Sequence, residues 1–280
     1  MDKELNKSDD HKYIPMTSIQ SRMGQEVAED VYYYTDQIVN LIFIGEPNSE
    51  KWFLVDAGMP ESAPEIIKQV EERFGEGKQP EAIILTHGHF DHVGGLVDLL
   101  QHWDVPVYAH QSEFPYLTGE KSYPEPDTTV EGGMLAKISA IYPNEPIDIG
   151  SHLKALPDDG QIPGLEEWKW VHTPGHSPGH VSLFRGRDGL LISGDAFITV
   201  RQDSLYKVLT QEPEVCGPPR YLTTDWQAAK VSVQTLQELQ PVTVIPGHGV
   251  YLRGAELTSG LTDLVRNFEK VAVPDYGKYI

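Results

Sequence analysis

Between His87 and His92 the chain reads "HGHFDH", three histidines and one aspartate within six positions. Imidazole and carboxylate groups are ligands for Zn²⁺, Fe and Mn. In an extended backbone alternate side chains point the same way, so His87 and His89 can reach one ion. A turn after His89 lets Asp91 and His92 face a second ion, at the roughly 3.5–4 Å separation usual in two-metal sites. Gly88, Gly94 and Gly95 are expected to let the backbone bend close to the ions. Four side chains do not complete two coordination spheres. The candidates for the rest are His176 in "TPGH", Asp195 in "LLISGDA" and His248 in "VIPGHG", each in a glycine-containing turn beside an apolar run. A carboxylate can bridge two cations, which suits Asp195. The set then holds five histidines and two aspartates.

These residues must be positioned by the elements around them. "IVNLIFIG" (38–45) and "KWFLVDAG" (51–58) read as strands. The stretch 61–77 carries Ile66, Ile67, Val70 and Phe74 at helical spacing, with Gly75 as its stop. "EAIILT" (81–86) is a strand that runs directly into the ligand cluster, followed by a helix at 95–103 and a strand at 105–110. A strand–helix–strand crossover of this kind predicts parallel pairing. Residues 111–165, rich in Pro, Gly and Tyr, show no period apart from a short helix around 132–142. They read as an insert, and Phe114, Tyr116 and Tyr123 favour a lid. Residues 180–195 read as a hairpin turning at Asp188-Gly189. A second irregular insert covers 199–224. A helix follows at 225–240 with Asp225 as its N-cap, then a strand at 242–246 leading to His248, and a last helix at 254–272. In both halves an apolar strand enters a histidine-bearing loop, which hints at two similar halves facing each other.

The chain has 280 residues, 39% apolar and 23% charged, as expected of one large globular domain spanning 1–280 with a polar tail at about 1–15. Acidic residues outnumber basic ones 42 to 22, for a formal charge of −20. That charge opposes a nucleic-acid partner or an anionic membrane. A single cysteine, Cys216, excludes an internal disulfide framework and a multi-thiolate zinc site. The opening "MDKELNKSDDHKYIPM" lacks an apolar signal segment, and no run reaches the roughly 20 residues of a membrane span. A cytoplasmic location, and a monomer or homodimer acting on a small molecule, are the expectations.

The ordered series "VDAG", "THGHFDH", "TPGH", "SGD" and "PGHG" across about 50–250 resembles the metallo-β-lactamase fold hydrolases, a superfamily that includes glyoxalase II, lactonases and zinc β-lactamases. The resemblance implies an α/β fold. This is the αββα four-layer sandwich, two mixed β-sheets flanked by helices, with a dinuclear site at the sheets' edge. It implies that His87, His89 and His176 hold one ion, that Asp91, His92 and His248 hold the other, and that Asp195 bridges them. Asp56 takes the place of an aspartate that braces the site without binding metal. The cofactors implied are two divalent ions, Zn²⁺ first, with Fe or Mn as alternatives.

Two cations sharing a water lower its pKa, so hydroxide is available to attack near neutral pH, and one of them can polarise a carbonyl. Asp91 is the candidate catalytic residue, orienting the nucleophile and passing its proton on. The expected activity is hydrolysis of a small ester, thioester or lactone. The alternatives are a non-haem iron oxidoreductase like the sulfur dioxygenases, and amide hydrolysis like that of a zinc β-lactamase. The lactonases' tyrosine after the bridging aspartate is not matched, since "GDAFITV" places Phe197 and Ile198 there. The 32 residues after His248 do not match the helical glutathione domain of glyoxalase II. Tyr116, Phe197 and Tyr221 are candidates to line a substrate pocket. His172, His180 and His110 read as supporting residues, His11, His102 and His152 as surface ones, and Cys216 as an ordinary loop residue.

Overall fold

The apolar run read as the first strand is instead the third, Val39–Ile44, because two strands precede it. The computed structural model describes residue 5 and residues 18–130, 144–201, 211 and 213–280. The N-terminal tail, the helix expected at 132–142, His11 and part of the second insert lie outside the described residues. The described chain packs as two compact units. One runs through Tyr123 and includes 144–156; the other takes 124–130 and Pro157–Ile280.

The first unit is built on a seven-stranded mixed sheet in sequential order. β1 (Met23–Ala28), β2 (Val31–Asp36), β3 (Val39–Ile44) and β4 (Phe53–Val55) form an antiparallel meander. β4, β5 (Ala82–Ile84), β6 (Val107–Ala109) and β7 (Leu153–Ala155) are parallel, as the crossover pattern predicts for β5 and β6. β3 is buried throughout, so it reads as one continuous apolar run rather than an alternation. Helix α1 (Ala63–Phe74) connects β4 to β5 and buries Ile66, Val70 and Phe74. It ends at Gly75, whose φ is +107° and whose N–H donates to Glu71 O at 3.0 Å. Phe74 stacks on Trp52 at 4.4 Å, and Trp103 meets Trp52 edge-on at 5.9 Å. These rings anchor the core under α1 and α3 (Leu96–His102), which follows the one-turn helix α2 (Phe90–Val93). A second short helix, α4 (Phe114–Leu117), and β7 lie in the stretch 111–165. The described part of that stretch therefore contains regular elements that its composition does not mark.

The second unit holds a five-stranded sheet ordered β14 (Leu252–Arg253), β13 (Thr243–Pro246), β10 (Leu190–Gly194), β9 (Val181–Arg185), β8 (Trp168–His172). β9 and β10 make the expected antiparallel hairpin, and β10 and β13 are parallel. A separate two-stranded sheet pairs β11 (Ile198–Val200) with β12 (Pro213–Cys216), so the second insert also contributes a strand. Helices α5 (Trp226–Glu238), α6 (Gly254–Arg266) and α7 (Phe268–Val271) complete the unit. Asp225 caps α5, its Oδ1 accepting from Ala228 N–H at 2.9 Å. Leu191, Phe197, Trp226, Val233, Val244 and Leu261 belong to the unit's apolar core. Among the described residues no helix is long and apolar enough to cross a membrane.

Sheet direction decides where the polar residues go. β4 and β5 are parallel neighbours with Val55 opposite Ile84, so Asp56 and the 85–89 loop leave the first sheet at one edge. β8, β10 and β13 run the same way, because β9 is antiparallel to both β8 and β10. The loops bearing His176, Asp195 and His248 therefore leave the second sheet at its own carboxyl edge, the usual place for ligands in α/β sheets.

Candidate metal centre

At the carboxyl end of β4 the backbone turns through Asp56 at φ +63°. A non-glycine residue holds this conformation only where its surroundings fix it, and three hydrogen bonds fix Asp56. Its Oδ1 accepts from Thr86 N–H at 2.8 Å, and its Oδ2 accepts from the Thr86 hydroxyl and from His92 Nδ1, both at 2.8 Å. The carboxylate is fully buried and committed to these partners. The bond from His92 Nδ1 places that ring's proton there and leaves Nε2 with its lone pair, the tautomer a metal requires. Thr86 has one hydroxyl proton, given to Asp56. Toward His87 Nδ1, 3.0 Å away, it can only accept, so His87 also presents a basic Nε2.

The three rings of the cluster lie close together. His87 is 4.7 Å from His89 and 4.1 Å from His92 between ring centroids. His89 is the N-cap residue of α2, with extended backbone (φ −66°, ψ 153°), and Asp91 and His92 sit in the single turn that follows. That is the extended-then-turn backbone expected from the spacing. The glycines serve a different purpose from the one read in the sequence. A Cβ on Gly94 would stand 2.2 Å from Pro60 N, and one on Gly95 2.7 Å from Ala57 O. They admit the neighbouring backbone of 57–60, which Ala57 N–H and Gly94 N–H tie to the ligand loop at 2.7 and 2.8 Å.

In the second unit His176 follows the same pattern. Its Nδ1 is 3.1 Å from Thr223 Oγ1, whose proton goes to Pro219 O at 2.8 Å, so His176 Nδ1 donates and Nε2 stays basic. That Nε2 lies 3.4 Å from Asp195 Oδ2, and His248 Nε2 lies 3.3 Å from the same oxygen. Two donors each about 2.1 Å from a tetrahedral ion stand roughly 3.4 Å apart. One oxygen of Asp195 is thus at ligand-to-ligand spacing from both histidines. All three side chains are buried, at 2% exposure or less.

His180, the competitor of His176 within "PGHSPGH", has both ring nitrogens engaged. Nδ1 is 2.8 Å from Thr173 Oγ1, and Nε2 accepts Asp195 N–H at 2.9 Å. It holds the backbone of the aspartate. Gly175, at φ +132°, lets the turn press on α5, where a Cβ would stand 2.3 Å from Ala229 N.

The remaining candidates fall in varied places. Tyr116 is half-buried and stacks on Tyr123 at 3.9 Å, and Tyr123 packs on His89 at 4.4 Å. Phe197 is wholly buried within the apolar core. Tyr221 is buried, its carbonyl accepting from Asp127 N–H at 2.7 Å. His172 Nε2 meets Pro178 O at 2.9 Å, His110 Nδ1 accepts from Ser112 N–H, and His152 meets Asp104. His102 is exposed, and Cys216 is half-buried beside Glu214 O. Sequence reasoning missed Thr86, Thr173, Thr223 and Glu113, and read Tyr123 only as part of a lid. Thr86 and Thr173 adjoin the motifs, in "THGH" and "HTPGH", and could have been read as partners of the rings. Burial, reinforced by the Glu113 carboxylate, raises the Tyr123 phenol well above its ordinary value, so it remains a hydrogen-bond donor.

A family model described as the metallo-beta-lactamase superfamily matches residues 34–248. The chain is 47% identical over 260 residues to a probable metallo-hydrolase of Bacillus subtilis, YflN, covering 92% of this chain and 98% of that one. It is 26% identical over 219 residues to the hydroxyacylglutathione hydrolase GloC of Haemophilus influenzae, covering 77% and 86%. Among solved structures, a protein crystallised in a di-iron-bound form aligns at 27% identity with a TM-score of 0.51, covering 77% of this chain and 89% of that one. A Cronobacter sakazakii metallo-beta-lactamase aligns at 20% identity with a TM-score of 0.60, covering 91% and 95%, a likeness of fold.

Proposed function

The chain belongs to the metallo-beta-lactamase superfamily, and from that premise we propose that it is a dinuclear metal-dependent hydrolase of a small ester, thioester or lactone. His87, His89 and His176 would hold one ion and Asp91, His92 and His248 the other, with Asp195 shared between them. The observation that carries this reading is the Asp195 oxygen at ligand spacing from both His176 and His248. The donor chemistry agrees: the seven candidate side chains are all imidazole or carboxylate, which suit Zn²⁺ and also Fe or Mn.

When bound, the ions supply Lewis acidity, which polarises a carbonyl and makes water acidic enough to attack near neutral pH. The chain's own residues do the rest. Asp56 fixes the tautomer of His92 and, through Thr86, that of His87. Thr223 does the same for His176, and His180 holds the backbone of Asp195. Asp91 orients the attacking water and carries its proton to the leaving group. A hydroxyacylglutathione hydrolase among the relatives supports acyl transfer to water as the reaction.

The test is a panel of thioesters, lactones, simple esters, β-lactams and phosphodiesters, assayed with protein of known metal content. Turnover of an acyl substrate that disappears on chelation and returns with Zn²⁺ supports the reading. Turnover restricted to phosphodiesters or β-lactams overturns the substrate class. Oxygen uptake on a persulfide with bound iron would replace hydrolysis by the oxidoreductase alternative.

A further inference from the structure

The segment read as a lid is rooted under the ligand loop. Glu113, fully buried, and Tyr123, 6% exposed, converge on the amide between the first two histidines of the cluster. Gly88 N–H donates to Glu113 Oε2 at 2.9 Å and to the Tyr123 hydroxyl oxygen at 3.0 Å, and that hydroxyl donates to Glu113 Oε2. The Tyr123 ring lies against the His89 ring, at 4.4 Å and 58°, and is backed by Tyr116. Gly88 is required there, because a Cβ would stand 2.6 Å from the Tyr123 hydroxyl.

We propose that Glu113 and Tyr123 are a positioning pair that sets the metal affinity of the His87–Gly88–His89 loop. The pair holds the loop's central amide and one face of the His89 ring. The inference rests on the metal-centre reading above. A hydrogen bond accepted by a buried carboxylate is stronger than a neutral one and is directional, so it fixes the His87–Gly88 peptide plane, which carries His87 directly and leads into His89 one residue on. The tyrosine ring restricts His89 to one orientation. Neither residue touches an ion; both act through the ligands, as the outer partners of metal ligands do.

Two variants test this in the full chain. Tyr123→Phe keeps the ring against His89 and removes the hydroxyl; Glu113→Gln keeps an acceptor for Gly88 and removes the charge. The first readout is amide hydrogen exchange in peptides covering 86–92, with and without Zn²⁺. The second is Zn²⁺ affinity by competition with a chromophoric chelator, together with the visible spectrum of the Co²⁺-loaded protein.

We expect exchange to accelerate about tenfold in Tyr123→Phe, and one of the two Zn²⁺ affinities to fall about 10–100-fold with a shifted Co²⁺ band. Glu113→Gln should weaken the same ion's binding, because it removes the charge that strengthens the Gly88 bond. Faster exchange with unchanged affinity and spectrum would reduce the pair to scaffolding and overturn the proposal, as would no change in either. If one variant fails to fold, the other decides. Wild-type protein that binds no Zn²⁺ would refute the metal-centre reading, while exchange in the metal-free protein still reports whether the pair clamps the loop.

Discussion

Replacing Asp56 with asparagine separates ligand orientation from packing. The new side chain has the same shape, and asparagine tolerates the left-handed backbone at φ +63°, so the local chain need not move. The carbonyl oxygen of the new amide can still accept Thr86 N–H. The other arm changes sign: an NH2 now faces the Thr86 hydroxyl and His92 Nδ1, both of which donated to the carboxylate. Hydrogen bonds to a charged group contribute about 1.5–3 kcal/mol each, so losing two costs about 3–6 kcal/mol. If the imidazole instead changes tautomer, Nδ1 accepts from the new NH2 and roughly half of that loss is recovered. The proton then sits on Nε2, where it blocks the metal. Both routes weaken one ion's binding, by on the order of 100-fold, the upper range for loss of an outer partner. The assay is chelator competition on the variant and the wild type, with thermal melts in the presence and absence of Zn²⁺. The melts should differ with metal more than without it. A variant that binds two ions with wild-type affinity would refute the claim that Asp56 sets the tautomer of His92.

The remaining predictions follow the same contacts. His180→Ala leaves the buried Asp195 N–H without its acceptor, which should cost about 1–3 kcal/mol by denaturant unfolding and lower metal affinity about tenfold; unchanged affinity would separate His180 from the site. Asp188 takes two hydrogen bonds from the fully buried Arg185, at 3.0 and 2.7 Å. Burial pushes its carboxyl up, but the Arg185 hydrogen bond and charge, together with Leu190 N–H, outweigh it and hold the carboxyl below its ordinary range. Because the folded value is depressed, this stabilisation is present above the ordinary carboxylate value and fades as pH falls through the folded one. Asp188→Asn should be less stable than wild type at pH 7, and the gap should narrow in melts below about pH 4. Chelation of the metal should lower the melting temperature by on the order of 10 °C when the free ion had been about a thousandfold above its Kd.

The placement of the candidate ligands was legible because they are polar residues at strand ends: β5 runs into His87, β10 into Asp195 and β13 into His248 within three residues each. α1 and α5 were legible from their period and caps. β1 was not, because it is an edge strand whose first four residues are exposed, so no apolar alternation marks it. β7 and β12 hold only half-buried or exposed residues, so no apolar run marks them as one marks the similarly short β5; their partners β6 and β11 define them. The threonines that set the histidine tautomers include Thr223, 47 residues from His176, a pairing only the fold creates. Glu113 and Tyr123 lay in a Pro-, Gly- and Tyr-rich stretch whose composition reads as loop. Its content is a buried carboxylate and phenol aimed at Gly88.

The most direct test of the dinuclear account is metal stoichiometry of the full chain, by elemental analysis, measured beside hydrolysis of an acyl substrate in the wild type and in Asp195→Ala. The account predicts two divalent ions per chain in the wild type, at most one in the variant, and hydrolysis that tracks occupancy. Undiminished hydrolysis by metal-free protein, or an Asp195→Ala variant that keeps both ions, would contradict it.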